Sequence, residues 1–241
     1  MFLPPQNIKM QENLDDITKW TADNLMLINE SKSNFIIYSR CKQEFTTRLT
    51  INGITLERMS VIKLLGIWLD EDMSWDTNTR HICKKAFQRI QMLGKLKYAG
   101  IHMLDLITIY KLFIRSVTEY CSVVYHSSLT KQQSRKIELI QKASLKIILG
   151  NEYTDYKSAM MKFSICSLNE RRDERVKKFA LKCVSDKYNH EMFPLNNNQN
   201  NKERFSVNFA RTSKYLNSAI PQCQRFLNYY AQQHPEYFSS K

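Results

Sequence analysis

A switch in hydrophobic period near Trp75 limits the fold more than any other feature. Before it, apolar residues come in short bursts with strand-like alternation. After it they recur every three or four residues for about a hundred positions. A stretch with period two lines one face of a sheet, and a stretch with period 3.6 lines one face of a helix. The chain therefore predicts an α+β fold with a small antiparallel sheet early and a helical bundle after it. The division falls at 72–77, giving segments 1–75, 76–190 and 191–241.

In the first segment, Leu14, Ile17 and Trp20 fall at helical spacing and predict a helix near 10–22. The β-like runs are Phe35-Ile36-Ile37-Tyr38, Arg48-Leu49-Thr50-Ile51 and Ile54-Thr55-Leu56-Glu57. Asn52-Gly53 joins the last two, and both residue types tolerate the positive φ of a tight hairpin turn. Val61 to Leu69 predicts a further strand, broken at Gly66.

Beyond Trp75, Ile82, Ala86, Ile90 and Leu93 mark the stripe of a helix over 77–97. Met103, Ile107, Tyr110, Ile114, Val117, Cys121 and Val124 predict one long helix over 103–124. Ile137, Ile140 and Ile147 mark a helix over 131–149 that stops at Gly150. A fourth helix covers about 168–188. Asn196-Asn197-Asn198-Gln199-Asn200-Asn201 reads as a polar linker, with weaker structure after it.

Charge narrows the partners. The chain has 36 Lys and Arg against 23 Asp and Glu, which leaves a net +13 at pH 7. Such an excess attracts polyanions. Arg80, Lys84, Lys85, Arg89, Lys95 and Lys97 stand in one stretch without an acid among them, so they are candidate phosphate contacts. The run Arg171, Arg172, Arg175, Lys177, Lys178 and Lys182 is interrupted by Asp173 and Glu174 and reads as an ordinary solvated helix.

Other chemistries find little support. Asp15-Asp16 sits in a helical pattern, whereas two-metal phosphoryl transfer needs carboxylates converging on rigid strands. Asp70, Glu71 and Asp72 read as a solvent-facing loop. His81, Cys83, Cys121 and His126 match no compact zinc spacing, and Cys121 falls in a core stripe. Five glycines leave no phosphate-cradling loop. No metal site is expected, and no cofactor in this chain. The six scattered cysteines, without a Cys-x-x-Cys pair, predict free thiols in a reducing intracellular setting. Neither nucleus nor cytoplasm is indicated, and no membrane partner is expected.

Taken in order, several segments resemble the end of a non-LTR retrotransposon (LINE-type, jockey-like) reverse transcriptase. Trp20, Asn24, Asn29, Lys32 and Ser33 carry the match to the stretch after that family's catalytic Asp-Asp hairpin. Asn52-Gly53-Ile54-Thr55-Leu56-Glu57 and Lys63-Leu64-Leu65-Gly66-Ile67-Trp68-Leu69-Asp70 resemble its primer-gripping hairpin. Trp75, His81-Ile82 and Lys84-Lys85 resemble the start of its thumb. Tyr110, Glu119-Tyr120, Ile140-Gln141-Lys142-Ala143 and Leu168-Asn169-Glu170-Arg171-Arg172 resemble its later helices. Ser218-Ala219-Ile220-Pro221 and Leu227-Asn228 resemble its closing segment.

The resemblance implies a residual palm edge with the primer grip, then a helical thumb and C-terminal region. It implies that Leu65, Gly66 and Ile67 belong to the primer grip. It also implies that Lys32 matches a palm lysine assisting nucleotide incorporation as a proton donor to pyrophosphate; the plainer reading of Lys32 is a surface lysine at a strand edge. The partner implied is an RNA–DNA or RNA template–primer duplex, held beside a missing upstream portion of the polymerase. Because the match starts at Leu14, the fingers, most of the palm and the metal-binding aspartates have no counterpart here. Mg2+ is expected only in an intact polymerase, and this chain alone is expected to be inactive in DNA synthesis. The alternatives are a retained nucleic-acid or protein binding module, or a non-functional retrotransposon remnant.

Overall fold

The computed structural model describes residues 6–39, 48–186, 190–196 and 203–238. The chain is a helix-dominated α+β protein and divides into two compact units, Met1–Thr77 and Asn78–Lys241.

The first unit opens with α1 (Gln6–Asp23) and a short 3-10 turn at Glu30–Lys32. Six short strands follow: β1 (Asn34–Phe35), β2 (Thr50–Ile51), β3 (Ile54–Thr55), β4 (Glu57–Arg58), β5 (Val61–Leu64) and β6 (Ile67–Asp70). They form three two-stranded pairs. β2–β3 and β5–β6 are antiparallel, whereas β1 pairs with β4 in parallel. The strand expected over 35–38 keeps only Phe35. Ile36 to Tyr38 are outside any strand.

The Asn52-Gly53 hairpin forms as expected, with φ of 51° and 79° at its two turn residues. Val61 to Leu69 is not one interrupted strand. Leu65 (φ 47°) and Gly66 (φ 88°) make a second two-residue turn that folds β5 onto β6, pairing Leu64 with Ile67. Two consecutive residues at positive φ match the strand twist of a tight hairpin.

Phe35, Leu49, Ile51 and Leu56 form the core of this unit, and Leu14 of α1 packs against it. Gln11 fixes α1 to β2: its amide donates to the Thr50 carbonyl and accepts from the Thr50 N–H, each at 2.9 Å. One side chain thereby satisfies both backbone groups of an edge residue.

The second unit is helical. Its elements are α2 (Asp76–Tyr98, beginning just before the boundary), α3 (Met103–Ile109), α4 (Arg115–Glu119), α5 (Ser122–Tyr125), α6 (Lys131–Leu149), α7 (Tyr156–Lys162), α8 (Leu168–Ser185), α9 (Ser213–Leu216) and α10 (Ala219–Gln233). Burial of Ile82, Ala86, Ile90 and Leu93 follows the expected stripe of α2. On α6, Ile137 and Ile140 are buried as expected. Ile148 takes the place given to Ile147, which is half-buried. Capping boxes at Thr130–Gln133 and Ser167–Glu170 open α6 and α8, and Gly150 closes α6.

The single helix expected over 103–124 is broken. A π turn at Tyr110–Ile114 inserts extra backbone, and Cys121 adopts φ 47° before α5. The insertion rotates every later residue around the axis. Tyr110 and Ile114 stay buried, Thr118 and Glu119 rotate inward, and Cys121 and Val124 are exposed. Cys121 is therefore not a core residue.

The closing segment is more ordered than its polar composition suggests. Residues 197–202 of the Asn-rich stretch lie outside the described residues, but Phe193, Phe205, Cys223, Leu227 and Phe238 join Val176, Ala180 and Cys183 of α8 in one core. The Asn228 amide accepts from the Phe205 N–H (2.7 Å) and donates to its carbonyl (3.0 Å), holding the incoming chain against α10. Cys83, Cys121, Cys166, Cys183 and Cys223 are free thiols. Cys41 lies outside the described residues.

Candidate nucleic-acid interface

The acid-free basic stretch lies on one continuous helix, α2. Arg80, Lys84, Lys85 and Lys95 are exposed. At about 100° per residue, Arg80, Lys84, Gln88, Gln91 and Lys95 lie within one sector, opposite the buried stripe. Lys85 sits on the flank of that sector. From Arg80 to Lys95 the helix rises about 22 Å, at roughly 1.5 Å per residue. Among the described residues, none of these four cations pairs with a carboxylate.

Two of the six candidates are committed elsewhere. The half-buried Arg89 donates from Nη1 to the Phe113 carbonyl, inside the π turn. Ser116 Oγ donates to the same oxygen at 3.3 Å. A π turn displaces carbonyls from their usual helical partners, and Arg89 supplies a donor there. Half-buried Lys97 reaches the C-terminal end of α6, with its Cε 3.9 Å from the position a Cβ on Gly150 would occupy. A cation there also complements the helix dipole.

Lys32 closes the 3-10 turn and is exposed, so it is a turn residue and not a strand-edge one. Leu65 and Gly66 form the tip of the β5–β6 hairpin, with Leu65 84% exposed, while Ile67 is buried. Lys63 lies over the Trp68 ring across the same hairpin, 5.8 Å from its centroid. Asp15 and Asp16 are exposed on α1, and Asp15 accepts from Gln11 at 2.7 Å. Among the described residues no group of three His, Cys, Asp or Glu side chains is placed to hold a metal ion.

The acidic loop after β6 differs from expectation at Asp70, which is buried. Its Oδ2 accepts from Ser74 Oγ (3.3 Å) and from the Thr77 N–H (3.2 Å), so it caps the first turn of α2. The Asp72 carboxylate accepts from the Ser74 N–H at 3.0 Å.

The largest departure concerns α8. The Arg171–Lys182 run is not simply a solvated face. Glu119, 5% exposed, gathers Arg115, Arg171 and Arg175 around one carboxylate. Burial pushes the Glu119 carboxyl up, but the Arg171 hydrogen bond and the charges of Arg171, Arg175 and Arg115 outweigh it and hold it below its ordinary range. Arg172 is fully buried: its Nε donates to His126 Nδ1 (3.1 Å) and its Nη2 to Ser134 Oγ (3.2 Å). His126 Nε2 faces Asp173 at 2.8 Å. Because Nδ1 accepts from Arg172, the ring carries its proton on Nε2.

A second chain of hydrogen bonds joins Tyr110 and Gln141, noted separately in the sequence, to Tyr156 and Glu138, which were not. Tyr110 donates to Gln141 (2.6 Å), Gln141 to Tyr156 (2.8 Å), and Tyr156 to Glu138. The Glu138 carboxylate also accepts the Leu168 and Asn169 N–H groups at 3.1 and 3.2 Å, capping α8.

Fold and surface together define a class: a helix-dominated α+β protein whose carboxylates are largely engaged internally and whose longest helix presents unpaired cations. No protein-family model matches the chain, and neither does any curated protein or solved structure. Among the described residues no helix is long and apolar enough to cross a membrane.

Proposed function

We propose that this chain is the C-terminal part of a non-LTR retrotransposon reverse transcriptase and that its helical unit holds template–primer duplex. The observation that carries the reading is the exposed line of Arg80, Lys84 and Lys95 on α2, with Lys85 beside it. Contacts from these side chains to phosphates carry no sequence information, so binding through them is largely independent of sequence. The β5–β6 hairpin supports the same reading. Its two-residue tip at Leu65 and Gly66 has the narrow form suited to a primer grip, while Ile67 anchors its base. In this reading the exposed Ile17, Trp20, Leu25 and Leu27 of the first unit face the upstream portion of the polymerase.

The test is salt-dependent binding to an RNA–DNA hybrid of about 20 base pairs. Each phosphate contact contributes about −0.9 to the slope of log affinity against log salt, so Arg80→Gln, Lys84→Gln and Lys95→Gln together should flatten the slope by about 3. A chain that fails to bind the hybrid at low salt, or binds it with no salt dependence, overturns the reading. A non-functional remnant is the second reading, favoured by the same exposed apolar side chains of the first unit.

A further inference from the structure

The basic line on α2 has a counterpart that its sequence neighbourhood does not advertise. On α6, Lys131, Arg135, Lys142 and Lys146 are all exposed. Their spacing is i, i+4, i+11 and i+15, the spacing of Arg80, Lys84, Gln91 and Lys95 on α2. At about 100° per residue, these four positions fall within about 60° of one another and form a single line. On each helix most buried residues lie on the other side, among them Ile82, Ala86 and Leu93 on α2 and Ile137, Ser144 and Ile148 on α6, while Leu145 and Leu149 are buried beside the line at the end of α6.

The one acid of α6, Glu138, forms no ion pair with this line among the described residues. Its carboxylate is taken by Tyr156 and by the first N–H groups of α8. Among the described residues none of the four α6 cations pairs with a carboxylate.

The two helices approach each other near both ends and run in the same direction. Near their C-terminal ends, Lys97 of α2 lies against Gly150, the residue that closes α6. Near their starts, Lys136 acts on Cys83: burial raises that thiol, and the Lys136 ammonium opposes the rise. Fourteen residues separate Cys83 from Lys97, and fourteen separate Lys136 from Gly150. Both cation lines therefore belong to the same helical unit and run in the same direction.

We infer that α6 supplies a second phosphate-binding line, formed by Lys131, Arg135, Lys142 and Lys146, and that α2 and α6 together hold the two backbones of a nucleic acid duplex. Each line is about 22 Å long, and its three or four cations can each meet a separate phosphate. One strand can occupy only one line, whereas a duplex engages both. This inference rests on the proposed nucleic-acid binding and adds the site for the second strand.

The test compares the full chain with a variant carrying Lys131→Gln, Arg135→Gln, Lys142→Gln and Lys146→Gln. The probes are a 20-base-pair RNA–DNA hybrid and a 20-nucleotide DNA single strand, each titrated across salt. On the hybrid the variant should flatten the salt slope by 3 to 4, at about 0.9 per contact. On the single strand the slope should flatten by no more than about 1, because α2 still offers three cations against the four of α6. A charge-keeping variant, Lys131→Arg, Lys142→Arg and Lys146→Arg, should bind the hybrid as the unaltered chain does. An unchanged hybrid slope in the glutamine variant, beside a flattened slope in the α2 variant, overturns the second line and leaves the proposed function standing. Absence of salt-dependent hybrid binding by the unaltered chain overturns both.

Discussion

Glu119→Gln should be among the most damaging single substitutions in the helical unit. The glutamine keeps the shape and one acceptor oxygen but removes the carboxylate that Arg115, Arg171 and Arg175 share. Breaking a buried ion pair by removing one partner costs about 3–5 kcal/mol, because the remaining charge stays uncompensated. Arg171 and Arg175 are 31% and 49% exposed and regain some water, which puts the loss at the lower end, about 3 kcal/mol. For a unit of this size, a loss of about 3 kcal/mol lowers Tm by roughly 6–12 °C. Urea unfolding at pH 7, followed by far-UV circular dichroism, reads this directly. The pH profile gives an independent check. The folded Glu119 carboxyl titrates below its unfolded value, so its stabilisation is present above the unfolded pKa and is lost as pH falls through the folded one. The glutamine variant should therefore lose less stability than the native chain across that acid range. A stability loss under about 1 kcal/mol, with an unchanged acid profile, would refute the argument that this carboxylate organises the three arginines.

Two further outcomes follow from single residues. His126 is held neutral by burial, against the opposing pull of Asp173, so its folded pKa lies below the unfolded value. Its contribution is present above an unfolded pKa of about 6.5 and is lost as pH falls through the folded one; urea midpoints measured from pH 7.5 to 5 should fall in the native chain and fall less in His126→Gln. Gly94 lies inside α2, and a Cβ there would meet nothing within 4 Å, so Gly94→Ala should stabilise the helical unit by about 1 kcal/mol while leaving the salt slope on the hybrid unchanged. A destabilised Gly94→Ala chain would mean that α2 needs flexibility at that point.

The legible parts of the fold were those in which local chemistry and tertiary packing agree. The α2 stripe, the Asn52-Gly53 turn and the Gly150 stop each follow from one residue type or one period. The π turn was not legible because the apolar spacing from Met103 to Val124 fits an unbroken helix. Only the side-chain donors Arg89 and Ser116 at the Phe113 carbonyl reveal where the ladder opens. The buried arginines did leave a signal. Leu168, Arg172, Val176 and Ala180 step by four along α8, so Arg172 falls on the apolar stripe of its helix. Glu119 is the only acid between Asp105 and Glu138, an isolated carboxylate in a mostly apolar stretch. Charge composition conceals such residues, because it counts a core arginine and a surface lysine alike. The α6 line was missed for a related reason: its cations alternate with core residues and do not form a run.

The disposition of the acids explains how an ordinary charged fraction yields so cationic a surface. Glu119 is spent on three arginines, and Glu138 on a tyrosine and the α8 N-terminus. Asp155 accepts the Lys157 and Ser158 N–H groups of α7. Each of these carboxylates sits where backbone donors or guanidinium groups need a negative partner, so its hydrogen bonds go to them and not to the lysines of α2 and α6. The exposed lysines of the two lines have no such partner among the described residues, and a long flexible cation loses little by remaining in water. The same caps and ion pairs that fix the helices therefore leave both cation lines unneutralised. Placing a single glutamate at Gln91, in the middle of the α2 line and one helical turn from Lys95, should flatten the salt slope on the RNA–DNA hybrid by about 1, and an unchanged slope would show that this line does not meet the phosphates.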